Sequence, residues 1–246
     1  MKRLIILSIF AMVAFVSSAQ VLATTPTTEG ATEQIVSMPK TDWLQPFTGV
    51  KIDGPMNVVM KRVPTNDELR ITYDTKGNVT SKFKFELDRN GVLTVSERVD
   101  PKRLSVTEVT IYYKSLKEVK ISRAQVEFED DVESKMFDLS VSSGATVSMG
   151  LTAVDVVAEC TGPSRLTLKG ETKYLTMRVS TAKVDASSFS TVASTVDISH
   201  TAELRMVVSE RLECTTSTGA KLIYKGTPTI FRDHSMIFGG DIINVN

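Results

Sequence analysis

Between residues 139 and 224 apolar and polar side chains alternate, and short polar turns interrupt the alternation at regular intervals. The same layout occurs at 139–149, 158–168, 177–186, 196–206 and 214–224. Small residues close the turns at Ala145, Ser164, Ala182, Ala202 and Ala220, so the unit recurs every 18 to 20 residues. One set of alternate positions is Leu139, Val141, Val147, Met149; Ala158, Cys160, Leu166, Leu168; Met177, Val179, Val184, Ala186; Val196, Ile198, Leu204, Met206; Cys214, Thr216, Leu222, Tyr224. All are apolar except Thr216. The interleaved set, which includes Ser140, Ser142, Arg165, Lys183, Glu203, Arg205 and Lys221, is polar except for Ile223. A period of two is that of strands with one wet and one dry face. A single coil of this length cannot bury its dry face, whereas stacked coils bury a continuous column. The pattern therefore predicts an all-β fold, a parallel β-helix (solenoid) of about 5–6 coils. The rule for parallel crossovers makes it right-handed.

The turn chemistry agrees. Gly144, Gly162 and Gly219 take a positive φ without steric cost. The third turn is one residue shorter and is expected to bend differently. Upstream, 119–130 reads as one more coil turning at Ser122 to Ala124. Before it, strands at 49–60, 69–73, 83–87, 91–97 and 109–113, with a hairpin signal at Asp88-Arg89-Asn90-Gly91, are expected to begin the stack and cap it. Residues 76–82 have room for one helical turn. The solenoid domain is placed at 41–246: an N-terminal strand-pair cap over 41–118, regular coils over 119–230 and a C-terminal cap over 231–246. Trp43 and Phe47 are expected to seal one end, and Phe231, Ile237 and Phe238 the other.

The chain starts with Lys2 and Arg3, an apolar run from Leu4 to Val16, and the small residues Ser17, Ser18 and Ala19. This is the pattern of a secretory signal peptide over 1–19, cut after Ala19 or alternatively after Ala23. The run is shorter than the ~20 residues that span a bilayer, and no other segment is a transmembrane candidate. Residues 20–40, rich in Thr, Pro, Glu and Ala, read as a flexible spacer. Export invites a disulfide between Cys160 and Cys214. Both fall on the dry face three coils apart, roughly 14 Å at ~4.8 Å per coil. A disulfide needs Cα atoms within about 7 Å, so two buried free thiols are predicted.

Phe47 to Met60 (FTGVKIDGPMNVVM) resembles the opening of the "putative auto-transporter adhesin, head GIN domain" family. The turns Ser143-Gly144-Ala145 and Thr218-Gly219-Ala220, and the closing Tyr224-Lys225-Gly226-Thr227-Pro228, are similar to that family's turns and closing motif. The resemblance covers roughly 47 to 246. It implies an exported protein of Bacteroides-like bacteria, and it brings no catalytic residues. The turns at coils two to four depart from the family pattern, which argues against a ligand shared along them.

The candidate chemistry is sparse. Lys and Arg balance Asp and Glu at 29 each, which speaks against nucleic acid. His200 and His234 have no Ser/Asp or Cys/His set in the sequence around them, and read as exposed turn residues. Glu127, Glu129, Asp130, Asp131 and Glu133 suit a Ca²⁺ site by ligand type but lack the spacing of a calcium loop, so a solvated turn is preferred. Arg165, Lys183, Glu203 and Lys221 form one outward column, and Arg205 stands in the next. Neighbouring strands bring such side chains close enough for pairing between coils, and these five are the candidate binding residues. A solvated face that keeps the sheet soluble is the plainer alternative. Polysaccharide-acting β-helices need converging carboxylates, whereas Asp185, Asp197 and Glu203 are isolated. The reading is a non-enzymatic, adhesin-like binding module without cofactor or metal. Its candidate partners are a glycan, a host surface or an envelope protein, and edge strands leave an oligomer open. The alternatives are a polysaccharide-acting enzyme and a structural or stress-related envelope protein.

Overall fold

The structure is a computed structural model that describes residues 38–76, 82–99, 101, 105–217, 219–235 and 239–246. Its first strands are β1 (Lys40–Trp43), β2 (Gly49–Asp53), β3 (Met56–Arg62), β4 (Arg70–Asp74), β5 (Lys84–Leu87), β6 (Val92–Ser96) and β7 (Thr107–Tyr113). There follow β8 (Glu118–Ser122), β9 (Gln125–Phe128), β10 (Val132–Ser142), β11 (Thr146–Thr161), β12 (Arg165–Ser180), β13 (Lys183–Ser199) and β14 (Glu203–Thr216). The last are β15 (Lys221–Lys225), β16 (Ile230–Asp233) and β17 (Asp241–Asn244). Among the described residues the only helical element is the 3₁₀ turn Asn66–Glu68. The strands stack in parallel as a β-solenoid of about six turns, as the alternation predicts.

The register follows the repeat. Val50, Val119, Leu139, Ala158, Met177, Val196 and Cys214 are successive neighbours in one inward column. Ile52, Ile121, Val141, Cys160, Val179, Ile198 and Thr216 form the next. Every inward position named from the sequence is buried, and each Leu or Ile removed from water contributes about 1.5–3 kcal/mol. Both cysteines are buried and free. Thr216, the one polar member, is buried too and is satisfied: its Oγ1 lies 2.8 Å from Ser235 Oγ and accepts from Gly240 N at 3.1 Å. This threonine fastens the chain that follows β15 back onto the last coil.

The turns separate two kinds. Ser143 and Gly144 both have positive φ (58° and 83°), and Gly162 and Gly219 lie at 68° and 81°. At the shorter third turn one non-glycine, Thr181, takes a positive φ (57°), and so do Arg123 (63°), at the turn of the coil before the five repeats, and His200 (60°) at the fourth turn. The residue missing at Thr181 is restored further on. Thr167 is level with Asp185 but Lys169 with Ser188, so β13 carries one extra residue. Corners inside the long strands were not legible in the sequence. At Val154–Asp155 and at Lys173–Tyr174 two consecutive residues face outward, which inverts the alternation and bends the strand. Buried threonines satisfy the bent backbone: Thr191 donates to the Val207 carbonyl at 2.7 Å, and Thr172 Oγ1 lies 3.2 Å from that of Val154.

The N-terminal third does not stack in chain order. The β2–β3 coil lies between the β6–β7 coil and the β8–β9 coil, because β2 pairs with both β6 and β8, and β3 with both β7 and β9. Beyond β6 and β7 the pairing is antiparallel: β5 on β6, β4 on β7 and β1 on β4. Tyr73, Phe83 and Phe85 form an aromatic cluster here, with Tyr73 stacked on Phe83 at 4.8 Å, packed against the core. Phe47 is buried as expected, but Trp43 is 68% exposed and seals nothing. Among the described residues β1 pairs only with β4, so nothing described there covers the indole as a second layer. At the other end Tyr224 stacks on Phe231 at 5.9 Å. The expected signal peptide, most of the spacer, the helical turn near 76–82, Ile237 and Phe238 lie outside the described residues.

Candidate functional site

Pairing of β12 to β15 sets Arg165, Lys183, Glu203 and Lys221 level with one another, and Asp241 on β17 continues the row beyond Lys221. Thr167, Asp185, Arg205 and Ile223 form the adjacent row. Between the rows lies a shallow depression of about 230 Å³ lined by Arg165, Thr167, Lys183, Asp185, Glu203 and Arg205, floored by Leu166 and Val184. Four of the five candidate residues thus meet on one patch of surface, and Lys221 stands one strand further along.

The charges do not pair as the sequence suggests. Glu203 accepts from Arg205 Nε at 2.9 Å along its own strand. Pairing between coils occurs instead on the other side of the turn, as Arg178–Asp197 at 3.7 Å and Arg232–Glu213 at 2.9 Å. Among the described residues, Arg165, Lys183 and Lys221 have no carboxylate within ion-pair distance. Arg165 and Lys183 are neighbours of like sign, an arrangement that costs energy unless an anion or water screens it. Asp185 accepts from Ser187 Oγ at 2.6 Å and Ser187 N at 3.1 Å. Those bonds, helped by the nearby Arg205 charge, hold its carboxyl below the usual range. The bulge that places Ser187 therefore also fixes one charge of the patch.

The other candidates resolve differently. Glu129 pairs with Lys61 at 2.9 Å, Glu133 with Arg62 at 2.9 Å, and Asp130 accepts from the Arg62 backbone N–H at 2.9 Å. The Arg62 hydrogen bonds hold the Glu133 carboxyl low. Among the described residues no three His, Cys, Asp or Glu side chains gather as metal ligands. His200 is exposed at its turn, as the sequence predicts, and Ser180 Oγ lies 3.1 Å and Ser199 Oγ 3.2 Å from its Nδ1. The carboxylates of Asp185 and Asp197 lie in strand columns on opposite sides of a turn. Among the described residues no helix is long and apolar enough to cross a membrane.

One outward row was missed in the sequence. Trp43 on β1, Arg70 on β4 and Tyr112 on β7 are register neighbours. The Arg70 guanidinium lies 3.6 Å over the Tyr112 ring and 5.8 Å from the Trp43 ring centre. No local pattern announces this row, because its members come from three strands far apart in the chain.

The fold is shared with solved structures. A putative adhesin from Bacteroides fragilis NCTC 9343 has a TM-score of 0.73 at 16% identity, covering 85% of this chain and 97% of that one. A putative adhesin from Parabacteroides merdae ATCC 43184 has a TM-score of 0.62 at 15% identity, covering 85% and 96%. A putative lipid binding protein from Parabacteroides distasonis ATCC 8503 has a TM-score of 0.59 at 13% identity, covering 85% and 97%. At these identities the likeness is one of fold. No curated protein matches the chain. The family model described as "Putative auto-transporter adhesin, head GIN domain" matches residues 46–228, close to the whole span of the stacked strands, and the chain belongs to that family.

Proposed function

We propose that this protein is a non-enzymatic, exported binding module of the cell envelope or surface, acting as adhesin heads do. The supporting observation is the outward face of β12–β15. It is shallow and regular, and it presents Arg165, Lys183 and Lys221, which no carboxylate among the described residues pairs, beside a fixed Asp185. Such a face offers hydrogen bonds and charge along a line, which suits an extended ligand such as a glycan chain or an envelope polymer. Glycosidase chemistry would need two carboxylates across a cleft, and here the nearest acids are held by Ser187 and Arg205. Family membership and the neighbours named adhesins support the same role.

The test is a glycan array probed with the mature chain and with an Arg165→Gln/Lys183→Gln variant. Binding of a defined glycan class by the parent, weakened in the variant, is the expected result. Equal binding by both would remove this face from the role. Slow turnover of a bound oligosaccharide would refute the non-enzymatic reading.

A further inference from the structure

We propose that the outward row Trp43–Arg70–Tyr112 is a second subsite, one that takes a sugar carrying a single carboxylate on an otherwise neutral glycan. The inference rests on the reading of the chain as a binding module but uses residues on a different part of the solenoid.

Three features carry it. The indole of Trp43 is 68% exposed, and among the described residues its ring contact is the Arg70 guanidinium. An exposed aromatic face is where the apolar C–H face of a sugar ring is desolvated at low entropic cost. Arg70 supplies the second feature. It lies flat on Tyr112 and donates from Nη1 to the Glu68 carbonyl at 3.2 Å, but no carboxylate among the described residues pairs with it. A guanidinium has five N–H donors in a planar fork, so most of this one is held in place and unused. That fork matches a carboxylate in two-point contact. The third is the neighbouring outward row of Thr41, Thr72 and Thr110, with Thr41 Oγ1 and Thr72 Oγ1 3.0 Å apart. It sets hydroxyls beside the platform, where sugar hydroxyls can exchange hydrogen bonds.

Charge selects within the class. The nearest cation besides Arg70 along the row, Lys61, is neutralised by Glu129, and Glu68 stands two residues before Arg70. With Lys61 held by Glu129, a densely charged polyanion would find one guanidinium on the row, which one carboxylate is enough to satisfy. This disfavours nucleic acid, heparin-like chains and anionic membranes, although each could in principle use an exposed Trp beside an Arg.

Trp43 is the only tryptophan in the chain, so its fluorescence reports on this site alone. The mature protein is titrated with sialyllactose and with a glucuronic-acid-substituted xylo-oligosaccharide. Lactose, unsubstituted xylo-oligosaccharide, heparin oligosaccharide, single-stranded DNA and phosphatidylglycerol vesicles form the comparison arms. The expected result is a blue shift and protection from iodide quenching with a carboxylated sugar, weaker with its neutral counterpart, and lost at high salt. Calorimetry should show binding abolished in Trp43→Ala, whose exposed side chain can be removed without disturbing the core. Arg70→Gln should reduce the preference for the carboxylated over the neutral sugar about tenfold or more, as loss of a charge-assisted contact implies, and Arg70→Lys should not restore it. An Arg70→Gln loss equal for both sugars would overturn the carboxylate contact. A response confined to heparin, DNA or vesicles, or no response to any probe, would overturn the proposal. Glycan binding that persists in Trp43→Ala and vanishes in Arg165→Gln/Lys183→Gln would overturn this subsite and leave the proposed function standing.

Discussion

Thr181 is the position where a change in one turn should make the protein more stable. It is exposed, its side chain has no hydrogen bond among the described residues, and its φ is 57°. That left-handed conformation costs a residue with a Cβ roughly 1–2 kcal/mol, and a β-branched side chain sits at the unfavourable end. Glycine removes this cost but brings back about 0.5–1 kcal/mol of unfolded-state freedom. Thr181→Gly should therefore stabilise the chain by about 0.5–1 kcal/mol, the difference of the two terms. For a domain near 200 residues that raises Tm by roughly 1–4 °C. Thr215 is the internal control, being exposed on β14 and without a side-chain hydrogen bond among the described residues. There the backbone is extended, so Thr215→Gly loses strand propensity and should destabilise by about 1 kcal/mol. Urea titrations of the parent and both variants decide the matter, with midpoints moving in opposite directions at unchanged slope. Equal destabilisation by the two substitutions would show that the Thr181 turn carries no left-handed strain.

The buried thiols predict a pH dependence. Burial pushes the thiol of Cys160 up to about 12, and burial with the neighbouring Asp233 charge pushes Cys214 up to about 11. An unfolded thiol titrates near ~8.5, so the native state keeps protons that the unfolded chain releases. Their contribution is complete below that pH and falls as pH rises toward the folded values, by up to about 1.4 kcal/mol per unit for each group. The urea midpoint should drop between pH ~8.5 and ~10.5, and drop less in a Cys160→Ala/Cys214→Ala variant. A thiol reagent should label neither cysteine until denaturant is added. At the C-terminal end, Thr216→Val removes the acceptor for Gly240 N and the partner of Ser235. It should cost about 1–3 kcal/mol and speed amide exchange after residue 216, which the outward Thr215→Val should not do.

The candidate site was half legible. Arg165, Lys183, Glu203 and Arg205 could be placed on one patch from the alternation alone, because a fixed coil length puts each residue beside its counterpart one repeat later. Their pairing could not. Whether Glu203 reaches Lys183 or Arg205 depends on rotamers and on strand twist, and the fold chose the partner on its own strand. Ser187 beside Asp185 was hidden as well, since the bulge that places it appears in sequence only as a slightly longer spacing. For His200, Ser199 is adjacent in sequence but Ser180 comes from the previous coil.

By itself the sequence determined the regular coils: which face is dry, which residues share a column, and that Cys160 and Cys214 stay apart. In a solenoid the neighbour in space is the neighbour one period away, so a repeated pattern carries tertiary information. Only the tertiary structure decided the N-terminal order, with β2–β3 between β6–β7 and β8–β9. Short strands such as GVKID and VLTVS have the same alternation and can bury the same face in either order. Their order is set by long-range closure and by antiparallel strands that follow no period. The row Trp43–Arg70–Tyr112 is a product of that closure, so it lies where the repeat is silent.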